Sequence, residues 1–161
     1  MSRLDHFIAR MMAQRSILNH IAADRPLGPG AILEVGLGNG RTYSHLRELF
    51  PDRRIVAFDR ALNAHKGSHP DPDDMVLGEI RETAQAFVGQ GAALVNVDIG
   101  TGYADKDAVT LTWLPDLIAG LLAPGAYVVS GLPLDHAALA PLPLPEDVPL
   151  ARSFLYQRRA D

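Results

Sequence analysis

The segment that most limits what this chain can become is a short apolar run, Ala31 to Val35, which meets Gly36, Gly38 and Gly40 at once. A brief apolar run bounded by glycine reads as a buried strand. Glycines at that spacing let the backbone turn tightly and approach a ligand where a Cβ would clash. The next helix is predicted to start near Asn39, a good N-cap, with its first N–H groups directed at that ligand. It runs over Arg41 to Phe50, with Tyr43, Leu46, Leu49 and Phe50 on one face.

The same alternation continues along the chain. Strands are predicted at Ile55 to Phe58, Met75 to Leu77, Ala92 to Val97, Ala126 to Val129 and Ser153 to Gln157. Helices are predicted at Ile80 to Val88, closed by Gly89 and Gly91, and across Asp105–Leu122. Pro115 either kinks that last helix or sits in the first turn of a second one. Residues 60–73 are rich in breakers and read as loop, and the Pro-rich stretch Leu132 to Pro149 shows no clear element. Before the core, residues 1–23 read as a helix with Leu4, Phe7, Ile8, Met11, Leu18, Ile21 and Ala22 on one apolar stripe. Arg3, Arg10 and Arg15 give that segment some likeness to a transit peptide, but the reading adopted is a mature helix.

Strands alternating with helices predict βαβ units. The fold expected is α/β: a Rossmann-like doubly wound, mostly parallel sheet of six to seven strands, with helices on both faces and an N-terminal helix. One domain is expected over 1–161, with the ligand-binding core at 31–131 and a Pro-rich segment and terminal strand at 132–161. Right-handed crossovers bring the strand-end loops to one edge of the sheet. Glu34, Asp59, Gly78, Glu79 and Asp98 all fall at such ends, so one crevice can collect them.

Composition removes several chemistries. The chain has no cysteine, so disulfides, thiolate nucleophiles and cysteine-held zinc or iron–sulfur clusters are excluded. A net charge of −4 supplies no general field for a polyphosphate, so nucleic acid is not the expected partner. No run of eighteen apolar residues is present to form a spanning helix, and the cytoplasm is the expected location.

Within the crevice, the glycine spacing differs from that of a dinucleotide site. The sixth position of the loop is Arg41 rather than glycine, and Glu34 stands two residues ahead of the first glycine. A carboxylate there would repel a phosphate and suit an ammonium group. Asp59, 25 positions after Glu34, can accept hydrogen bonds from both hydroxyls of a ribose. A nucleoside ligand follows, though the same acid would also serve NAD.

These residues carry a family resemblance. The loop from Glu34 through Gly36, Leu37, Gly38, Asn39 and Gly40, the acid Asp59, Gly78-Glu79-Ile80 after strand three, and Leu122-Ala123-Pro124-Gly125 ahead of strand five resemble class I S-adenosylmethionine-dependent methyltransferases over about residues 31–131. The resemblance implies S-adenosyl-L-methionine as cofactor and S-adenosyl-L-homocysteine as product. It implies that Glu34 acts at the methionine amino end, that the glycines line the cofactor, and that Asp59 holds the ribose. Glu79 would receive the adenine amino group, with Ile80 beside it. Asp98 would stand near the methionine portion, where it is also the one named candidate for proton removal.

Departures narrow the acceptor. Families that methylate amino groups of bases or glutamine carry an Asn/Asp/Ser-Pro-Pro-aromatic motif after strand four, where this chain reads Asn96-Val97-Asp98-Ile99-Gly100. Metal-dependent O-methyltransferases need an acid and amide pair after strand five, where Ser130-Gly131 stands, so no catalytic metal is expected. His65, His69 and Asp71 are spaced as metal ligands but read as solvated loop residues. Tyr43, Tyr103 and Trp113 can offer a ring face to a sulfonium, with core packing as the plainer role. Arg152, Arg158 and Arg159 read as a solvated strand end. A small-molecule acceptor is expected, with the substrate surface completed by a homo-oligomer because little chain follows the fifth strand. Two alternatives stay open: a non-catalytic module that binds the same cofactor, and an NAD-dependent oxidoreductase.

Overall fold

The computed structural model describes residues 1–148 and 153–160. Arg152, one of the candidate terminal cations, and Pro149, the end of the Pro-rich stretch, lie outside the described residues. The chain opens with α1 (Arg3–Asp24), then β1 (Ile32–Val35), α2 (Arg41–Leu49), β2 (Ile55–Asp59), β3 (Met75–Leu77), α3 (Ile80–Thr83) and β4 (Ala92–Val97). It continues through α4 (Ala104–Thr110), α5 (Leu114–Leu121), β5 (Leu122–Ser130), β6 (Leu139–Pro141) and β7 (Phe154–Arg158). The seven strands form one sheet in the order β3-β2-β1-β4-β5-β7-β6. β3, β2, β1, β4 and β5 run parallel, while β7 is antiparallel to both β5 and β6.

The central strands are covered on both faces, so they are mostly apolar rather than alternating, with Glu34 and Asn96 as buried polar exceptions. Every residue of β1 and β4 is buried. On one face Leu33, Val35, Val95 and Val97 pack with Leu117, Ile118 and Leu121 of α5. On the other, Ile32, Ala57, Leu94 and Val129 pack beneath Ala13, Ile17, Leu18 and Ile21 of α1 and Tyr43 and Leu46 of α2. The expected doubly wound sheet is therefore present.

Several boundaries differ from expectation for local reasons. Pro115 takes the second of its two expected places, in the first turn of a separate helix α5, which is where a missing N–H costs least. The predicted helix over Ile80–Val88 is one α-turn followed by a 3-10 segment, Ala84–Phe87. β5 begins at Leu122, earlier than predicted, and its register against β4 shifts between the Ala92 and Leu94 pairings. The Pro-rich stretch holds a short strand, β6, that the sequence did not signal. The apolar stripe assigned to α1 also breaks: Ala13, Gln14, Ile17, Leu18 and Ile21 are buried. Leu4, Phe7 and Ile8 of that stripe are 65%, 41% and 45% exposed, as is Met12 beside it at 54%, because the first half of the helix extends past the edge of the core. No helix among the described residues is long and apolar enough to cross a membrane.

Candidate functional site

At the carboxyl end of β1 the chain is drawn across β2. Gly36 N and Leu37 N both donate to the carbonyl of Phe58, at 3.0 and 3.2 Å. Gly36 has φ +95°, and a Cβ there would lie 2.5 Å from the backbone oxygen of Asp98. The first glycine is thus demanded by the close approach of β4. Gly38, at φ +52°, faces open space instead. Gly40 stands just before α2 as its N-cap, is left-handed and supplies no side-chain cap. The cap expected of Asn39 is not made; its backbone oxygen accepts from His65 N at 3.0 Å, tying the loop to the following segment.

Asp59 locks this loop from the next strand. Its Oδ2 accepts from Gly38 N at 2.8 Å and its Oδ1 from Arg60 N at 2.7 Å. Both oxygens keep acceptor capacity for a further donor. Gly78 N donates to the Asp59 carbonyl at 3.0 Å and, at φ +136°, turns the chain into α3. Glu79 pairs with Arg60 at 3.1 Å in an exposed position. On the other side, Asp98 N continues the ladder to Val35 O at 2.9 Å. Its carboxylate stands 3.5 Å from Arg10 of α1.

A cleft of about 340 Å³ collects Gly36, Gly38, Asp59, Glu79, Ile80 and Asp98. It ends against Thr101, Thr110 and Trp113. A second pocket of about 210 Å³ shares Gly38, Asp98 and Gly100 with it and brings in Leu37, Asn39 and Gly40 of the loop. Arg10 and Gln14 of α1 close that second pocket. Neither was singled out as a site residue from the sequence beyond the basic character of the first segment, since no local pattern tells where α1 lands.

Glu34, expected at the methionine amino end of the cofactor, is fully buried and is not among the residues that line either pocket. It faces Asn96 in register on β4, and Asn96 Nδ2 donates to Glu34 Oε1 at 2.7 Å. Oε2 makes no hydrogen bond; the Thr42 side chain is near enough to favour the anion without forming a proper bond to that atom. Burial pushes the carboxyl up to about 8, against the pull of Asn96 and Thr42 and with a smaller push from the neighbouring Asp98 charge.

The aromatic candidates separate cleanly. Tyr43 is a core residue whose hydroxyl accepts from Arg47 at 3.0 Å. Tyr103 is exposed, with the Lys106 ammonium 5.0 Å from its ring centroid. Trp113 alone of the three lines the cleft. The loop histidines serve local turns: His65 Nδ1 accepts from Gly67 N at 3.1 Å, and His69 Nε2 is paired with the Ala64 carbonyl at 2.9 Å. Asp71 precedes a 3-10 turn, Pro72–Asp74. Among the described residues, no group of three or more histidines and carboxylates is placed to hold a metal ion. Arg158 donates to the Leu122 carbonyl and Arg159 to that of Ala137, so both are used in joining the end of β7 to its surroundings.

The crevice therefore offers acceptors for hydroxyl and amino groups, a backbone loop open at Gly38, and opposed charges at Asp98 and Arg10. That is equipment for a nucleoside with a polar, charged extension. Comparison with known proteins agrees. A family model described as S-adenosyl-L-methionine methyltransferase matches residues 1–158. A crystal structure of an S-adenosyl-L-methionine methyl transferase from Silicibacter pomeroyi DSS-3 is 40% identical, superposes with a TM-score of 0.90, and covers 98% of this chain and 99% of that one. More distant structures share the fold alone. A probable spermidine synthase from Corynebacterium glutamicum ATCC 13032 has TM-score 0.59 at 15% identity, covering 78% of this chain and 47% of that one. The antibiotic-resistance methyltransferase Kmr has TM-score 0.55 at 15% identity, covering 91% and 93%. The search of curated proteins finds no match. With the family model spanning nearly the whole chain and that relative matching it end to end, this protein belongs to the S-adenosyl-L-methionine methyltransferase family.

Proposed function

We propose that the protein methylates a small-molecule acceptor in the cleft between β1, β2 and β4, using S-adenosyl-L-methionine held by the strand-end residues. The observation that carries this reading is the Asp59–Gly38 bond of 2.8 Å, which fixes a carboxylate at the cleft beside a glycine with open space before it. The residues suit the cofactor. Gly38 leaves room that a side chain would fill, and Asp59 has acceptor capacity for ribose hydroxyls. Carboxylates near the loop favour a cationic ligand over a phosphate.

In this reading Asp59 holds the ribose, Glu79 and Ile80 meet the adenine, and the loop from Gly36 to Gly40 forms the floor. When bound, the cofactor supplies a methyl group activated by its sulfonium. The protein's task is then alignment and exclusion of water. Trp113 and the loop of Ile99 to Thr101 bound the side where an acceptor would enter. Asp98, 3.5 Å from the Arg10 guanidinium, stands at the methionine portion of the cofactor and serves to hold the donor. Glu34, lying below the floor, supports the loop from behind.

Calorimetry with S-adenosylhomocysteine, followed by a labelled-methyl screen over small acceptors, tests the reading. Micromolar binding, weakened by Asp59→Ala, together with label transfer to a small molecule is the expected result. Transfer only to protein or nucleic acid would overturn the acceptor class, and absence of binding would overturn the site.

A further inference from the structure

We propose that Arg10 of α1 recognises the carboxylate of an α-amino-acid zwitterion, the amino-acid end of the methyl donor, while Asp98 takes its ammonium. This rests on the reading of the cleft as the donor's site. An α-amino acid carries both charges on one carbon, so it needs two opposed charges close together. Arg10 and Asp98 present that pair across 3.5 Å, longer than a well-formed charge-assisted bond. A zwitterion set between them exchanges one loose ion pair for two.

The surroundings fit the same ligand. The pocket closed by Arg10 joins the nucleoside cleft through Gly38, Asp98 and Gly100. Its wall includes the start of α2, which no side chain caps, and uncapped N–H groups at a helix start favour an anion. Gln14, one turn after Arg10, is 4% exposed, and its Oε1 has no hydrogen-bond partner among the described residues. A buried acceptor without a donor is costly unless a ligand supplies one, and an ammonium is such a donor. The nearby Arg41 guanidinium is instead set over the Phe7 ring, 5.5 Å from its centroid, which leaves Arg10 as the cation facing Asp98.

The test compares two probes by calorimetry: S-adenosylhomocysteine, which carries the amino-acid end, and 5′-methylthioadenosine, which lacks it. Arg10→Met should weaken S-adenosylhomocysteine by about tenfold to a hundredfold, the effect of one charge-assisted contact, and leave methylthioadenosine unchanged. Arg10→Lys should recover part of the loss. Gln14→Met should raise the melting temperature of the free protein while weakening only the ligand with the amino-acid end. Equal weakening of both probes, or no weakening of either, overturns the assignment. Wild-type protein that binds neither probe overturns the donor site itself, which separates the two failures.

Discussion

Asn96 donates to Glu34 across 2.7 Å between neighbouring parallel strands, and Glu34 is wholly out of water. The bond satisfies one carboxyl oxygen and leaves the other bare. Folding raises this group from 4.5 to about 8, so the native state holds a proton that the unfolded chain releases more readily. Stability from this group is therefore full below about 4.5, declines as pH rises, and levels off above about 8. The decline can reach about 1.4 kcal/mol per pH unit inside that window. Glu34→Gln keeps an acceptor for Asn96 and removes the ionisation. Urea unfolding at several pH values should show the variant flatter than wild type across the window and more stable at its upper end. Parallel curves would show that Glu34 does not titrate there.

Two glycines of one loop should respond in opposite ways. At Gly36 a Cβ meets the Asp98 backbone at 2.5 Å, whereas at Gly38 it meets nothing. Gly36→Ala should cost about 3 kcal/mol from collision and positive φ together. Gly38→Ala should cost about 1 kcal/mol from positive φ alone, yet weaken S-adenosylhomocysteine at least tenfold. Thermal melts and calorimetry on both variants check the pair.

Asp59→Asn retains the shape but replaces an acceptor by a donor facing either Gly38 N or Arg60 N. It should lower affinity for S-adenosylhomocysteine and methylthioadenosine alike, by about tenfold or more. That pattern differs from the selective loss expected at Arg10. A selective loss at Asp59 would remove it from the ribose.

Leu4, Ile8 and Met12 recur at four-residue spacing and stand in solvent on α1. We propose that this stripe joins two copies of the chain. Light scattering at high concentration should find a dimer, and Ile8→Glu should return it to monomer without lowering the melting temperature. Wild-type protein that stays monomeric would dispose of the idea.

The parallel strands were legible because each is a short, mostly apolar run with a glycine or an acid close to its carboxyl end. That same rule located Asp59, Glu79 and Asp98, since strand ends in this topology share one edge. β6 was not legible, for three residues carry no period and, among the described strands, Leu139–Pro141 pairs with β7 alone. The α1 stripe misled because periodicity does not reveal how much of a helix overhangs its core. Arg10 and Gln14 escaped notice for the same reason, as their placement depends on where α1 crosses the sheet. The partnership of Glu34 and Asn96 needed the strand register, although two lone polar residues inside apolar strands were a usable signal.

β7 comes after β6 in the chain but lies between β5 and β6 in the sheet. During synthesis β5 must therefore wait with an open edge until β7 leaves the ribosome, and β6 has no neighbouring strand to attach to before then. An unfinished chain presents Tyr127 to Ser130, the segment that β7 later covers, as a bare template for pairing with another polypeptide. Removing β7 should thus show itself first as aggregation in the cell, ahead of any change in methyl transfer.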